Sequence, residues 1–184
     1  MFLFLKDRSY EIVKLFINQI AISVFGTAMA FATAGEGRTA LLVGTSIFSV
    51  LFYLFIIYVM MWEIGAKDSH KIEKKLPGHS PLTGLYMGLI SSIPNFVVAG
   101  LITLGLKTTV PLFTKIHIFV DVISGFTMKG MYTGLLAIPL NEANTLQIND
   151  LWFVYFLIPL PLILTTFLAY FLGSKNFKLF GFKK

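Results

Sequence analysis

Few side chains in this 184-residue sequence could do chemistry. The densest group is Trp62-Glu63-Ile64-Gly65-Ala66-Lys67-Asp68-Ser69-His70, continued by Lys71-Ile72-Glu73-Lys74-Lys75-Leu76-Pro77-Gly78-His79. Glu63 closes an apolar run beside a Trp, where a carboxylate is costly unless it is paired. If the helix continues past Gly65, Glu63 and Lys67 fall at i, i+4 in the favourable order, and Asp68 and Lys71 at i, i+3. One use of these residues has Glu63, Asp68, His70 and His79 as hard-metal ligands or as acid–base groups acting on a lipid headgroup. Their spacing fits no metal signature that coordination geometry justifies, so neither a metal nor another cofactor is expected. A second use makes Trp62, Glu63, Lys67, Asp68, His70 and His79 a partner-docking loop. The plainest alternative is a helix that leaves the membrane and is tied down by ion pairs.

Two smaller groups could bind a ligand. Pro94 removes the hydrogen bond to the Ile90 carbonyl and should kink its helix. Ser91, Ser92 and Asn95 stand ready to satisfy the freed groups. Unwound carbonyls beside a polar cluster also form binding sites in transporters, so Ser91, Ser92, Pro94 and Asn95 are ligand-site candidates as well as parts of a plain kink. His117 and Asp121 are four residues apart on one helical face, where imidazole and carboxylate could relay protons or gate an external vestibule. A surface hydrogen bond is the simpler reading of that pair. With no Cys, disulfides, thiolate metal sites and cysteine nucleophiles are excluded. No nucleotide-binding loop is present, so active transport would draw on an ion gradient or a separate ATPase subunit.

The elements that must position these residues follow from composition. Hydrophobic residues make up 56% of the chain and charged residues 13%, about half the charge of an ordinary soluble domain. A chain this small leaves roughly a third of its surface exposed, and 19 Phe, 7 Tyr and 2 Trp could not be hidden inside it. The composition therefore excludes an ordinary soluble enzyme. Spans of about 20 mainly apolar residues are expected at 12–34, 39–64, 82–106 and 151–172. The order of residues 1–8, apolar before charged, is wrong for a signal peptide, so the first span should be a retained helix.

The segment between the third and fourth spans is ambiguous. Residues 112–139 are apolar overall but carry Lys115, His117, Asp121 and Lys129. At 100° per residue, His117, Asp121, Ser124, Met128 and Tyr132 fall within about an 80° arc. An interfacial or re-entrant helix suits that pattern better than a lipid-facing span. Counting four spans puts 11 of the 15 Lys and Arg residues on the side of both termini and 4 on the other, the asymmetry of a cytoplasmic face. A fifth crossing at 112–139 would move the tail lysines outside. Residues 107–150 are thus expected to form an external cap or a re-entrant hairpin.

The expected fold is all-α: one polytopic helical membrane domain over residues 1–184, with about four transmembrane helices plus the 112–139 element. It should lie in the cytoplasmic (inner) membrane with both termini inside. Small-residue stripes mark where helix backbones approach closely: Gly26, Ala30 and Ala34 in the first span, Gly84 and Gly88 in the third. The basic, aromatic run 175–184 reads as an anchor on anionic headgroups and not as a nucleic-acid site.

Trp62-Glu63-x-Gly65-x-Lys67-Asp68, then Gly84-x-x-x-Gly88 and Ser92-Ile93-Pro94, resembles a group of small polytopic membrane proteins of Gram-positive bacteria whose function is uncharacterised. The resemblance covers residues 58–95 and implies a bacterial inner-membrane protein without supplying an activity. On the residues themselves, the leading expectation is a non-enzymatic protein of transport or a subunit of a larger membrane complex. Its partners would be the bilayer and either a second copy or a partner membrane or ATPase subunit. The rivals are a membrane-embedded enzyme acting on a lipid or prenyl phosphate, and a scaffold without a small-molecule site.

Overall fold

A computed structural model describes residues 2–35, 37–74, 76, 79–108, 110–138 and 152–177. The 178–184 part of the expected anchor, Lys75 and the 139–150 part of the expected cap lie outside the described residues. Helices α1 (Phe2–Thr33), α2 (Thr39–Glu73) and α3 (Thr83–Lys107) come first. Next is α4 (Pro111–Ser124), which runs into a π-helical turn (Gly125–Lys129), a 3₁₀ turn (Gly130–Tyr132) and the short α5 (Thr133–Ala137). Helices α6 (Val154–Leu157) and α7 (Leu160–Ser174) follow, parted at Pro159. Among the described residues the fold is all-helical, with no strand. Four segments are long and apolar enough to cross a membrane: Phe4–Thr33, Thr39–Glu73, Thr83–Lys107 and Val154–Ser174.

Polarity is distributed as in a protein dissolved in lipid. Ile17 and Phe31 on α1, Phe48 and Leu51 on α2, Ile93 and Val97 on α3, and Leu164 and Leu168 on α7 are exposed. Gln19, Ser23, Ser46, Ser49, Asn95 and Thr166 are buried. Water would favour the opposite arrangement. This chain is an integral membrane protein.

Two helices outrun the apolar spans that composition marks. Helix α1 starts at Phe2 and not near residue 12, carrying Lys6, Asp7 and Arg8 on its first turns. Helix α2 continues to Glu73, well past residue 64. Pairs along its last turns support that extension: Lys67 Nζ lies 2.7 Å from Glu63 Oε1, Lys71 Nζ 3.5 Å from Asp68 Oδ1 and His70 Nδ1 3.8 Å from Glu73 Oε2. Hydrophobicity marks what lies in lipid, whereas helix length also depends on pairs that work in water.

The residues gather into two compact units. The first comprises 1–15, 54–92 and 161–184. Its core includes Leu15, Ile57, Met61, Met87, Leu162 and Tyr170. Here α7 meets α2 and α3 almost backbone to backbone. A β-carbon added at Gly65 would strike the Tyr170 carbonyl, and one at Gly173 the Trp62 carbonyl. At Gly84 it would meet the Thr166 carbonyl oxygen at 2.5 Å, and at Gly88 it would strike the Thr166 hydroxyl. Absent side chains let dispersion replace the hydrophobic drive that lipid cannot supply.

The second unit comprises 16–53 and 93–160, with Tyr53, Ala99, Ile102, Met128, Met131 and Tyr155 in its core. Here Gly26 lies against the Met131 backbone and Ala30 is buried. Ala34 departs from the expected stripe: it lies past the end of α1 and is exposed, and Thr33 is buried in its place. Thr33 Oγ1 bonds the Met29 carbonyl at 2.8 Å and lies 3.4 Å from Thr45 Oγ1.

Candidate functional site

Asp68 is the hub of the first unit. Asp68 is 3% exposed, and Arg8, whose guanidinium donates to its carboxylate, is 8% exposed. The Tyr170 hydroxyl donates to the same oxygen, Oδ2, at 3.0 Å. The other oxygen faces Lys71 Nζ at 3.5 Å and His79 Nε2 at 3.7 Å. Arg8 also lies 3.8 Å from Glu11 Oε1. Three helices and the segment before α3 thus converge on one carboxylate. A buried carboxylate persists only with such partners, and Asp68 has both a charged donor and a hydroxyl.

Beside this hub lies a cleft of about 330 Å³, lined by Arg8, Tyr10, Glu11 and Lys14 of α1 and by Met60, Glu63, Ile64, Lys67, Asp68 and Lys71 of α2. Four of these residues are cationic and three anionic, leaving one positive charge in excess. Its rim is exposed charge over a buried floor. Glu63 and Lys67 pair but are largely exposed, at 61% and 72% of their side-chain surface, whereas Arg8 and Asp68 beneath them are buried. Rim pairs of that exposure contribute well under about 1 kcal/mol to stability, so they are free to exchange partners at little cost.

The residues expected to form a docking loop therefore divide. Asp68 and His79 meet at the hub, with Lys67 and Glu63 on the rim of the cleft. His70 pairs outward with Glu73, both exposed. The Trp62 indole donates to the Phe177 carbonyl at 2.7 Å, tying α2 to the residues after α7. Among the described residues no three of the His, Asp and Glu side chains converge as a metal would require.

The candidates near Pro94 are mostly absorbed in packing. Asn95 forms a reciprocal amide pair with Gln19: Asn95 Nδ2 donates to Gln19 Oε1 at 2.8 Å and Gln19 Nε2 returns a bond to Asn95 Oδ1 at 3.0 Å. Gln19 Nε2 also reaches the Thr127 carbonyl at 3.3 Å. Ser91 Oγ donates to the Gly88 carbonyl at 3.0 Å. The Ser92 hydroxyl is buried without a hydrogen-bond partner. Pro94 sits within α3 without ending it, as neighbouring helices in a membrane allow.

His117 and Asp121 do not pair. His117 Nδ1 lies 2.8 Å from the Thr114 carbonyl, and its side chain lies against Gly105. Asp121 instead takes the Lys129 ammonium and, at 3.2 Å, the Tyr155 hydroxyl. Lys129 also lies over the Tyr155 ring, 5.7 Å from its centre. The wide π turn between the two residues brings Lys129 back over Asp121, and a closer opposite charge outcompetes an imidazole one turn away.

No protein-family model, curated protein or solved structure matches this chain.

Four participants were not legible as such. Arg8 reads as a topological charge, Gln19 as a polar residue in an early turn of a span, Tyr170 as one more aromatic in an apolar helix and Gly173 as a loose end. The signal for the first two was their cost. A guanidinium on a helix that enters lipid and an amide within an apolar run both demand a partner.

Proposed function

We propose that this chain is a non-enzymatic protein of a bacterial cytoplasmic membrane and serves as a subunit of a larger membrane complex. It would dock its partner through the cleft over the Arg8–Asp68 pair, on the cytoplasmic side that carries the excess of Lys and Arg. The observation that carries this reading is the contrast between two polar regions. Around Asn95 the amides satisfy one another, and Asn95 is only 2% exposed. At the cleft, a buried ion pair fixes a floor under exposed, weakly committed Glu63 and Lys67. A preorganised base with an exchangeable charged rim suits recognition of a charged protein surface, because complementary charges set register and speed encounter. Enzymatic turnover would instead require converging acids and bases, and His70, paired outward with Glu73, points away from such a set.

The test is native extraction of the tagged chain in mild detergent, followed by mass measurement of the intact assembly. The expected result is a defined complex that is lost on Lys14→Glu with Lys67→Glu, both exposed cleft residues, while the thermal transition of the purified chain stays in place. A chain that runs as a free monomer after in-membrane crosslinking, in wild type and variant alike, overturns the proposal.

A further inference from the structure

We infer that residues 111–137 form a re-entrant hairpin whose outward face is solvated by lipid acyl chains, not a cap standing in water. Two independent observations in the second unit carry this.

The first is polarity. From Ile116 to Ala137 the exposed residues are Ile118, Phe119, Val122, Ile123 and Phe126, all of them apolar, with Phe119 67% exposed. No polar side chain of that stretch ranks among the exposed residues, and each has a partner within hydrogen-bonding reach, His117 on the Thr114 carbonyl among them. Ser124 is buried, Asp121 and Lys129 neutralise each other, Thr133 Oγ1 bonds the Gly130 carbonyl at 2.8 Å and Thr127 Oγ1 the Ile123 carbonyl at 3.2 Å. A helix lying on a protein in water shows the reverse pattern. Charges held inward against partners, under an apolar exterior, are what hydrocarbon demands. This outer face is of the same kind as the exposed apolar faces of α1, α2 and α3 beside it. The exposed Thr114 and Lys115 stand at the start of α4, where it would leave the headgroups.

The second is the path. Near its start α4 lies beside the end of α3: a side chain at Gly105 would run into His117 and come 2.8 Å from the Phe113 carbonyl. Ten residues on, the Thr127 carbonyl accepts from Gln19, which is paired to Asn95 at the middle of the 25-residue α3. Gly105 and Asn95 are ten residues apart, about 15 Å along a helix, which is about half the hydrocarbon thickness. The chain then returns. Gly130 N donates to Ser23 Oγ at 3.1 Å, Met131 lies against Gly26, and Gly134 N donates to Ser46 Oγ at 2.7 Å near the start of α2. The π and 3₁₀ turns mark the reversal. Their backbone is held by protein: the Gly125 carbonyl accepts from Thr27 Oγ1 at 2.8 Å and Ser23 Oγ at 3.2 Å. Irregular backbone at membrane depth is tolerated only with such partners.

The chain contains no Cys, so single cysteines at Leu112, Phe119, Val122 and Phe126, all exposed positions, can carry a nitroxide without disturbing a core. The full chain is placed in phosphatidylethanolamine–phosphatidylglycerol vesicles, and collision with oxygen is compared with collision with a water-soluble nickel chelate. Oxygen is expected to dominate at 119, 122 and 126, with depth growing by about 10 Å from 119 to 126. In addition, Ile138→Cys should react with an impermeant maleimide from the same side as Gly37→Cys. Strong nickel collision at 119, 122 and 126 would make the segment an aqueous cap. Immobile spectra shielded from both reagents would mean that protein covers the face. Labelling of residue 138 from the side opposite residue 37 would make the segment a fifth crossing. Each of these three results overturns the inference.

Discussion

Removing Arg8 while leaving Asp68 in place is the sharpest perturbation of the first unit. The side chains of the pair retain 9% and 4% of their surface, so the carboxylate cannot simply be rehydrated when its partner goes. Breaking a buried pair typically costs about 3–5 kcal/mol, because one charge stays buried and uncompensated. Asp68 keeps Tyr170 at 3.0 Å, Lys71 at 3.5 Å and His79 at 3.7 Å, which places Arg8→Ala near the lower end of that range. Asp68→Ala is expected to cost at least as much, since among the described residues Arg8 would keep the Glu11 carboxylate, 3.8 Å away, as its one ion-pair partner. Replacing both by Met and Leu removes the desolvation as well as the attraction, so the double variant should lie within about 1 kcal/mol of wild type. The assay is reversible unfolding in mixed micelles with increasing SDS, read out by Trp fluorescence and repeated at high salt. With each single variant costing about 3 kcal/mol or more and the double within about 1 kcal/mol of wild type, a coupling of about 5 kcal/mol, insensitive to salt, is expected for a pair so buried. Additive single variants, with a coupling below about 0.5 kcal/mol, would refute the claim that the pair is the fixed floor of the cleft.

Three further outcomes are expected. Gly65→Val and Gly173→Val, which push side chains into the Tyr170 and Trp62 carbonyls, should each destabilise by about 3 kcal/mol or more, since backbone cannot move aside as a side chain can; Gly44→Ala and Gly100→Ala, with nothing within 4 Å of the added carbon, should be neutral or up to about 1 kcal/mol stabilising in the same SDS titration. Gln19→Leu strands the Asn95 amide and should cost about 1–2 kcal/mol, with Gln19→Leu/Asn95→Leu recovering most of the loss; a double variant worse than either single would contradict the reciprocal pair. For topology, an impermeant thiol reagent applied outside intact cells should label Gly37→Cys and spare Ser80→Cys, and the opposite pattern would reverse the orientation drawn from the Lys and Arg asymmetry.

Much of the fold could be read from the sequence because lipid simplifies the problem. Uninterrupted apolar stretches such as 40–62 and 82–106 have one stable solution, and the structure has helices there. Helix ends were harder to read, because α1 begins among Lys6, Asp7 and Arg8 and α2 ends through ion pairs, neither of which raises hydrophobicity. The small-residue stripes pointed to Gly84 and Gly88 but not to their partner. Only the fold shows that α7, through Thr166 and Tyr170, fills that groove.

The candidate site was half legible. The spacing of Glu63 and Lys67 and of Asp68 and Lys71 was enough to foresee both pairs. It could not reveal Arg8, because the pairing spans sixty residues of chain. The same limit explains His117 and Asp121. Helical spacing places them together, but the π turn, invisible to a fixed 100° step, delivers Lys129 instead.

The cleft above Arg8 and Asp68 is the proposed meeting point of this chain and a partner. The most direct measurement places a photoreactive amino acid at Lys67, on the cleft, and in a second strain at Leu164, on the exposed apolar face of α7, and illuminates living cells. A single crosslinked product of fixed mass is expected from position 67, abolished by Lys71→Glu, with only diffuse lipid adducts from position 164. Crosslinks to one protein from 164 and none from 67 would contradict the account, because the partner would then lie against the lipid-facing surface.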